Sequence, residues 1–208
     1  AIFGILTVLG LYFMTKELFG ERVALLASFL LATLFWHVNF SRIGFRATMA
    51  PFFLVWSFYF LFLGIRKTKE IFFIIAGLLF GLGFHTYIAF RVAPIIALFP
   101  LWRFYTRQKL ARSGGQKDYC APCLIGLFIF MAFLAALPLL FYYAQNPLDF
   151  FGRTAGISIL NSQEPLAQFS ENTVKTLQMF FLFGDFNWRH NFAGSPQLWW
   201  PIGILFLI

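Results

Sequence analysis

Ala121-Pro-Cys-Leu-Ile-Gly-Leu-Phe-Ile-Phe-Met-Ala-Phe-Leu-Ala-Ala-Leu-Pro-Leu-Leu-Phe-Tyr-Tyr143 runs for 23 residues without a charged side chain. A helix rises about 1.5 Å per residue, so this stretch as a helix crosses the roughly 30 Å hydrocarbon layer of a bilayer. It is apolar on every side and lacks the 3.6-residue polar face of a helix lying on a soluble core. A helix also satisfies its own backbone donors and acceptors, which lipid cannot do for it. The stretch reads as a membrane-spanning helix.

The same alternation of apolar runs and short charged breaks extends outward in both directions. Ala1–Thr15 reads as the tail of a span, closed by Lys16, Glu17, Glu21 and Arg22. Val23–Phe40 reads as a single span, and Ser41–Thr48 as a polar break. Met49–Ile65 spans again and ends at Arg66, Lys67, Lys69 and Glu70. Ile71–Phe90 follows, up to a lone Arg91. Val92–Trp102 is short and holds Pro94 and Pro100, so it is either a tilted span or part of a re-entrant pair with its predecessor. Arg103–Lys117 is a basic break before the quoted run. Residues 145–197 are long and mixed, and Leu198–Ile208 is a last apolar run. The expected fold is all-α: a polytopic transmembrane helical bundle of about six to seven segments, with residues 1–208 forming part of one domain. Both ends lie inside apolar runs too short to span, so the chain reads as an internal piece of a longer membrane protein.

Composition agrees. The chain has 208 residues, 60% of them hydrophobic and 12% charged, where a soluble domain carries about 25% charged. That excludes a soluble globule, a disordered chain and a collagen-like protein. The two cysteines stand in Cys120-Ala-Pro-Cys123. They cannot make a secreted-type disulfide framework, and without a second pair or a nearby His they are too little for a zinc or redox site.

The Lys and Arg residues divide by membrane face. Ten of the sixteen fall in the breaks at 16–22, 66–70 and 103–118. The positive-inside rule turns those breaks to the cytoplasm. The long 145–197 segment then faces outward. The net charge of +8 is mostly a topology signal, and the scatter of basic residues over both faces argues against a nucleic-acid partner.

Arg42, Arg46 and Arg91 are not explained by topology. Each sits at the outer end of a span, and no acidic residue occurs between Glu21 and Glu70. Charge at that depth is costly and calls for a partner. A phosphate or pyrophosphate is the simplest one, because the planar guanidinium binds its oxygens bidentately. The competing explanation is snorkelling toward ordinary lipid headgroups. Near Arg91, Gly77 and Gly81 stand four apart and allow close helix packing. His85, Thr86 and Tyr87 follow at the outer end, and Tyr87 and Arg91 share a face if the helix continues. His37, Asn39 and Ser41 close the preceding span at the same side.

In the outer segment, Pro147–Ser162 carries Asp149, Phe150 and Arg153. Residues 170–183 suit a helix lying in the membrane interface, with Ser170 as its cap. Asp185, Arg189, His190 and Asn191 then gather before the last apolar run, as substrate contacts or as an ordinary connector.

These residues resemble a family. Tyr12 through Lys16, Leu18-Phe19-Gly20 and Ala24-Leu-Leu-Ala27 are similar to a stretch of the bacterial family-39 glycosyltransferases. Those are GT-C membrane enzymes related to protein O-mannosyltransferases and to the aminoarabinose transferase of lipid A. Phe40-Ser41-Arg42 through Arg46 and Pro51-Phe52-Phe53 resembles the next block, Gly81-Leu-Gly83-Phe-His85-Thr86-Tyr87 the one after it, and Gly184-Asp185 through Asn191 a late outer loop. Many members carry Asp where this chain has Arg46 or Ala47, and Lys where it has Tyr87.

The resemblance implies an inverting transferase in the bacterial cytoplasmic membrane, with its active face outward. It would take a hexose or pentose from a polyprenyl-phosphate donor and pass it to a lipid, glycan or protein acceptor. It implies no separate cofactor beyond the donor, assigns no metal ligands without excluding a divalent metal, and puts the catalytic acid in an outer loop upstream of residue 1. Arg42, Arg46 and Arg91 would surround the donor phosphate, with His85 and Tyr87 as helpers. The alternative is a transporter or flippase for an anionic lipid or solute, which would use the same arginines but be built from repeats.

Overall fold

The computed structural model describes residues 1–113, 120–156, 159, 162–188, 192–198 and 202–203. Among these residues it is all helical. The elements are α1 (Ile2–Phe19), α2 (Glu21–Thr33), α3 (Phe35–Ile43), α4 (Met49–Lys67), α5 (Glu70–Gly83), α6 (Ala93–Ser113), α7 (Ala121–Gln145), α8 (Pro147–Gly156) and α9 (Pro165–Phe181). Short 3-10 turns at Arg46–Thr48 and Ile88–Val92 lead into α4 and α6. Four helical stretches are long and apolar enough to cross a membrane: Ile2–Phe19, Arg46–Lys67, Ile88–Ala111 and Ala121–Gln145. The bent pair α2–α3 adds a fifth if it is one span, and α5 is a shorter apolar helix.

The bundle is centred on α5, which packs along α4 on one side and α7 on the other, while α1 joins α4 to α2. Gly77 and Gly81 explain the α5–α7 contact. A Cβ at either position would collide with a backbone carbonyl of α7, that of Phe128 or Ala132. The two helices therefore touch backbone to backbone, the small-residue packing that lipid-embedded helices use in place of a hydrophobic drive. Phe80 meets Phe90 at 5.5 Å and Phe128 at 5.4 Å between ring centroids, closing the core beside that contact. Two polar bonds tie the other helices in: Ser57 Oγ donates to the Ala76 carbonyl and Trp56 Nε1 to the Leu6 carbonyl. At the basic end, Arg66 pairs with Glu17 at 2.6 Å, joining α4 to α1.

Several sequence expectations need correction. The Val23–Phe40 run is not one helix. It breaks at Leu34, which is extended, and α2 and α3 meet at 57°. Thr33 Oγ1 bonds back to the Phe29 and Leu30 carbonyls just before the break, a competition with the helical ladder that bends helices. The Ile71–Phe90 run stops being α-helical at Gly83, where Thr86 Oγ1 takes the Gly83 carbonyl at 2.6 Å and the Phe90 ring lies in the space a Gly83 Cβ would fill. In contrast, α6 does not end with its apolar part. It continues through Pro100 and the basic residues to Ser113, because those residues are good helix formers once out of lipid. The helix α9 begins at Pro165, a favoured first-turn residue, and Ser170 lies inside it, bonded back to Ala167. Cys120 and Cys123 are joined by a disulfide at the start of α7.

Candidate functional site

At the end of the bundle opposite the basic loops, Arg91 sits in the 3-10 turn before α6, half-buried. Its guanidinium donates to the Phe150 carbonyl at 3.2 Å and to the Tyr143 hydroxyl at 3.4 Å. It also stacks over the Phe150 ring, 4.2 Å from the centroid, and lies 5.5 Å from that of Tyr143. These contacts clamp α8 onto the ends of α6 and α7. They orient the guanidinium at the edge of a groove of about 550 Å³ running between α5, α6 and α7. Phe84, Leu98, Leu101, Ala132 and Leu140 are among its walls, and apart from Arg91 and Tyr143 every lining residue is apolar. A linear hydrocarbon suits the walls, and an anionic head suits the mouth.

His85 and Tyr87 are divided by the early end of α5. His85 Nε2 lies 2.9 Å from the Ala135 carbonyl of α7. A carbonyl only accepts, so that nitrogen carries the proton. This contact falls one residue from Leu134, whose carbonyl loses its helical donor because Pro138 has no N–H. Tyr87 is extended and exposed, and it does not share a helix face with Arg91.

Arg42 lines a different groove, of about 560 Å³, between α1, α2 and α3, together with Tyr12, Ser28 and His37. His37 and Ser41 are occupied in holding that corner: His37 Nε2 bonds the Gly4 carbonyl at 3.0 Å and Ser41 Oγ donates to the His37 carbonyl at 2.6 Å. Arg46 is exposed in the turn before α4. No residue lines both grooves, so the three arginines are not drawn around one centre.

Asp185 follows α9 in a tight return. The Gly194 N–H donates to its carbonyl at 3.1 Å, and its side chain accepts from the Asn187 N–H at 2.9 Å. Arg189, His190 and Asn191 lie outside the described residues. Sequence reading did not find Tyr143 and Phe150 as partners of Arg91. Their aromatic character beside the end of α7 was visible, but the turn that brings Arg91 to them was not.

The sequence model of the dolichyl-phosphate-mannose-protein mannosyltransferase family matches residues 1–142. The chain belongs to that family. No curated protein and no solved structure matches it. The matched region contains α1 to α6 and most of α7, and with them Arg42, Arg46, His85, Tyr87 and Arg91, while Tyr143 and Phe150 at the Arg91 groove lie just beyond it. Membership makes the chain an integral membrane glycosyltransferase of the GT-C mannosyltransferase type.

Proposed function

We propose that this glycosyltransferase takes a hexose or pentose from a polyprenyl-phosphate donor on the outer face of the bacterial cytoplasmic membrane, with inversion, and passes it to a lipid, glycan or protein acceptor. One observation carries the donor assignment: a single guanidinium, Arg91, lines a groove between spans whose other lining residues, Tyr143 apart, are apolar. A polyprenyl chain fits the groove, and its phosphate reaches the arginine. Breaking the bond from sugar carbon to phosphate oxygen leaves added negative charge on the departing phosphate. A fixed guanidinium stabilises that charge more than it stabilises the bound donor. Tyr143 and Phe150 hold the guanidinium in place, so little reorganisation is needed.

None of the residues lining the groove is acidic, so the base that deprotonates the acceptor comes from elsewhere in the protein. His85 is assigned to positioning, because it ties the end of α5 to α7 beside the groove. Tyr87 faces outward at the same end as a donor or acceptor to the incoming sugar. Arg42 is assigned to a phosphate group at the α1–α3 groove and Arg46, exposed in the turn before α4, to a phosphate at the membrane surface, both apart from the leaving group. The outer helix α9 is assigned to the membrane interface. Leu166, Phe169, Val174 and Leu177 form an exposed apolar stripe, and no residue of the helix is buried.

Arg91→Gln in the full chain tests the reading, with labelled polyprenyl-phosphate sugars as donors. The donor KM rises at least tenfold and transfer falls. Unchanged donor KM and unchanged transfer for Arg91→Gln, Arg42→Gln and Arg46→Gln alike would sink it.

A further inference from the structure

A third concavity lies away from the Arg91 and Arg42 grooves, between the C-terminal half of α9 and the return that follows it. Its volume is about 650 Å³, and its lining includes Lys175, Gln178, Phe183, Asp185 and Phe186. We infer that it binds a saccharide and serves as the acceptor's sugar subsite. This rests on the glycosyltransferase reading above and extends it to the second substrate.

The lining narrows the ligand class. Lys175 and Asp185 bring opposite charges, so neither a strong anion nor a strong cation is matched there. Lys175 is moreover bound to Glu171 at 2.6 Å. No group of three or more His, Cys, Asp and Glu among the described residues could hold a metal. A hydrocarbon chain would desolvate the Asp185 carboxylate, the Lys175–Glu171 pair and the Gln178 amide without adding a hydrogen bond to any of them. A pyranose answers all of these features at once. Its C–H face packs on an aromatic ring, and its hydroxyls both donate and accept. A carboxylate accepts from hydroxyls, a carboxamide does both, and an ammonium donates.

The return is built to hold that arrangement in place. Gly184 and Gly194 exchange a backbone bond at 3.2 Å, and Gly194 in turn donates to the Asp185 carbonyl at 3.1 Å. Gly194 has φ +81, and a Cβ there would come within 3.1 Å of the Phe186 ring. The glycine therefore lets the ring lie against the turn while 72% of Phe186 stays exposed, an aromatic platform beside a fixed carboxylate. Lys175 comes from the side of α9 opposite Leu166 and Leu177 and Gln178 from the flank between them, so with the apolar stripe in lipid Lys175 faces water and Gln178 lies at the boundary. A hydrophilic ligand reaches them from outside. The Gln197 and Leu198 N–H groups bond the Met179 and Phe180 carbonyls at 2.9 and 3.1 Å, which holds the subsite at the level where the chain turns toward its last apolar run.

Saturation-transfer NMR on the full chain in nanodiscs tests this, using methyl α-mannopyranoside, methyl β-glucopyranoside and N-acetylglucosamine as probes. At least one sugar takes up saturation on its ring protons. Phe186→Ala cuts that signal at least threefold, and so does Asp185→Asn, which keeps the oxygen that caps Asn187. Gln178→Ala, on the helix surface, cuts it about twofold. No saturation of any probe overturns the subsite, and so does a signal indifferent to both Phe186→Ala and Asp185→Asn. Retention of labelled polyprenyl phosphate by the wild-type chain is read in the same preparation. If that lipid is not retained while the sugar signal stands, the donor reading fails alone. If it is retained and the sugar signal is absent or indifferent, only the subsite fails.

Discussion

The helices α5 and α9 have 14 and 17 residues, yet their surroundings are opposite. In α5, Phe73, Ala76, Gly77, Phe80, Gly81 and Gly83 are buried, whereas no residue of α9 is. The difference follows from how the small and apolar residues are arranged. In α5 apolar residues surround the helix and two glycines make a flat strip, so neighbouring helices close on it from two sides. In α9 the apolar residues keep to one stripe, while the polar side carries its own pairs, Gln168–Asn172 and Glu171–Lys175. One pattern is completed by protein, and the other, on the function proposed above, by a lipid surface.

The largest effect is expected where the first pattern is broken. Gly81→Leu puts a side chain where the Ala132 carbonyl and Ala135 Cβ already stand. Overpacking a fitted core costs about 1–3 kcal/mol when side chains can give way, and a backbone carbonyl gives way less. The variant should lose most of its folded yield in mild detergent, measured by size-exclusion chromatography. Gly126→Leu, where a Cβ meets nothing within 4 Å, should be tolerated. If the two behave alike, close approach is not what joins α5 to α7.

Arg91→Gln comes next, and it sharpens the comparison because Arg91 stands where the packed half of the molecule meets the segment that begins with α8. The hydrogen bonds of a charged group are worth about 1.5–3 kcal/mol, equivalent to roughly 10–100-fold in an equilibrium constant. The donor KM should rise within that range. Amide exchange in α8 should rise with it, because the Phe150 carbonyl loses its donor, while α5 stays protected. Loss of protection in both helices would mean that Arg91 is a core residue rather than a clamp at the groove.

Leu177→Lys attacks the second pattern. It places a charge in the middle of the α9 stripe and should raise amide exchange across α9 severalfold in nanodiscs, with no change in α5 or α7. Unaltered exchange in α9 would show that lipid does not complete it.

The parts legible in the sequence were those that a local pattern dictates. Gly77 and Gly81, four apart in an apolar run, announced a close helix contact though not that α7 makes it, and the uncharged run at 121–143 announced α7. The break at Leu34 was not legible, because leucine itself favours helix and the bend comes from Thr33 turning its hydroxyl onto the preceding carbonyls. The length of α6 was missed for the reverse reason: hydropathy marks where lipid ends, not where the helix ends. At the site, the unusual charge of Arg91 could be read, but its partners could not. Tyr143 and Phe150 lie 52 and 59 residues away, and they meet it only because α5 stops at Gly83 and the chain turns. The gathering of three arginines at outer span ends suggested one centre, but the order of helices across the bundle puts Arg42 and Arg91 in separate grooves.

The smallest expected effect decides what holds α9. Glu171 and Lys175 pair at 2.6 Å across one helical turn, with side chains 55% and 67% exposed. Such exposed pairs contribute about 0.3–0.5 kcal/mol and are screened by salt. Glu171→Ala should therefore raise exchange in α9 about twofold or less, and 1 M NaCl should reproduce most of that change in the wild-type chain. Leu177→Lys should exceed it clearly, since it removes apolar burial in lipid and adds a charge there. If Glu171→Ala has the larger effect, α9 is held by pairs along its own surface rather than by the membrane beneath it. The contrast with α5 would then be one of intrinsic helix strength, not of what each helix is packed against.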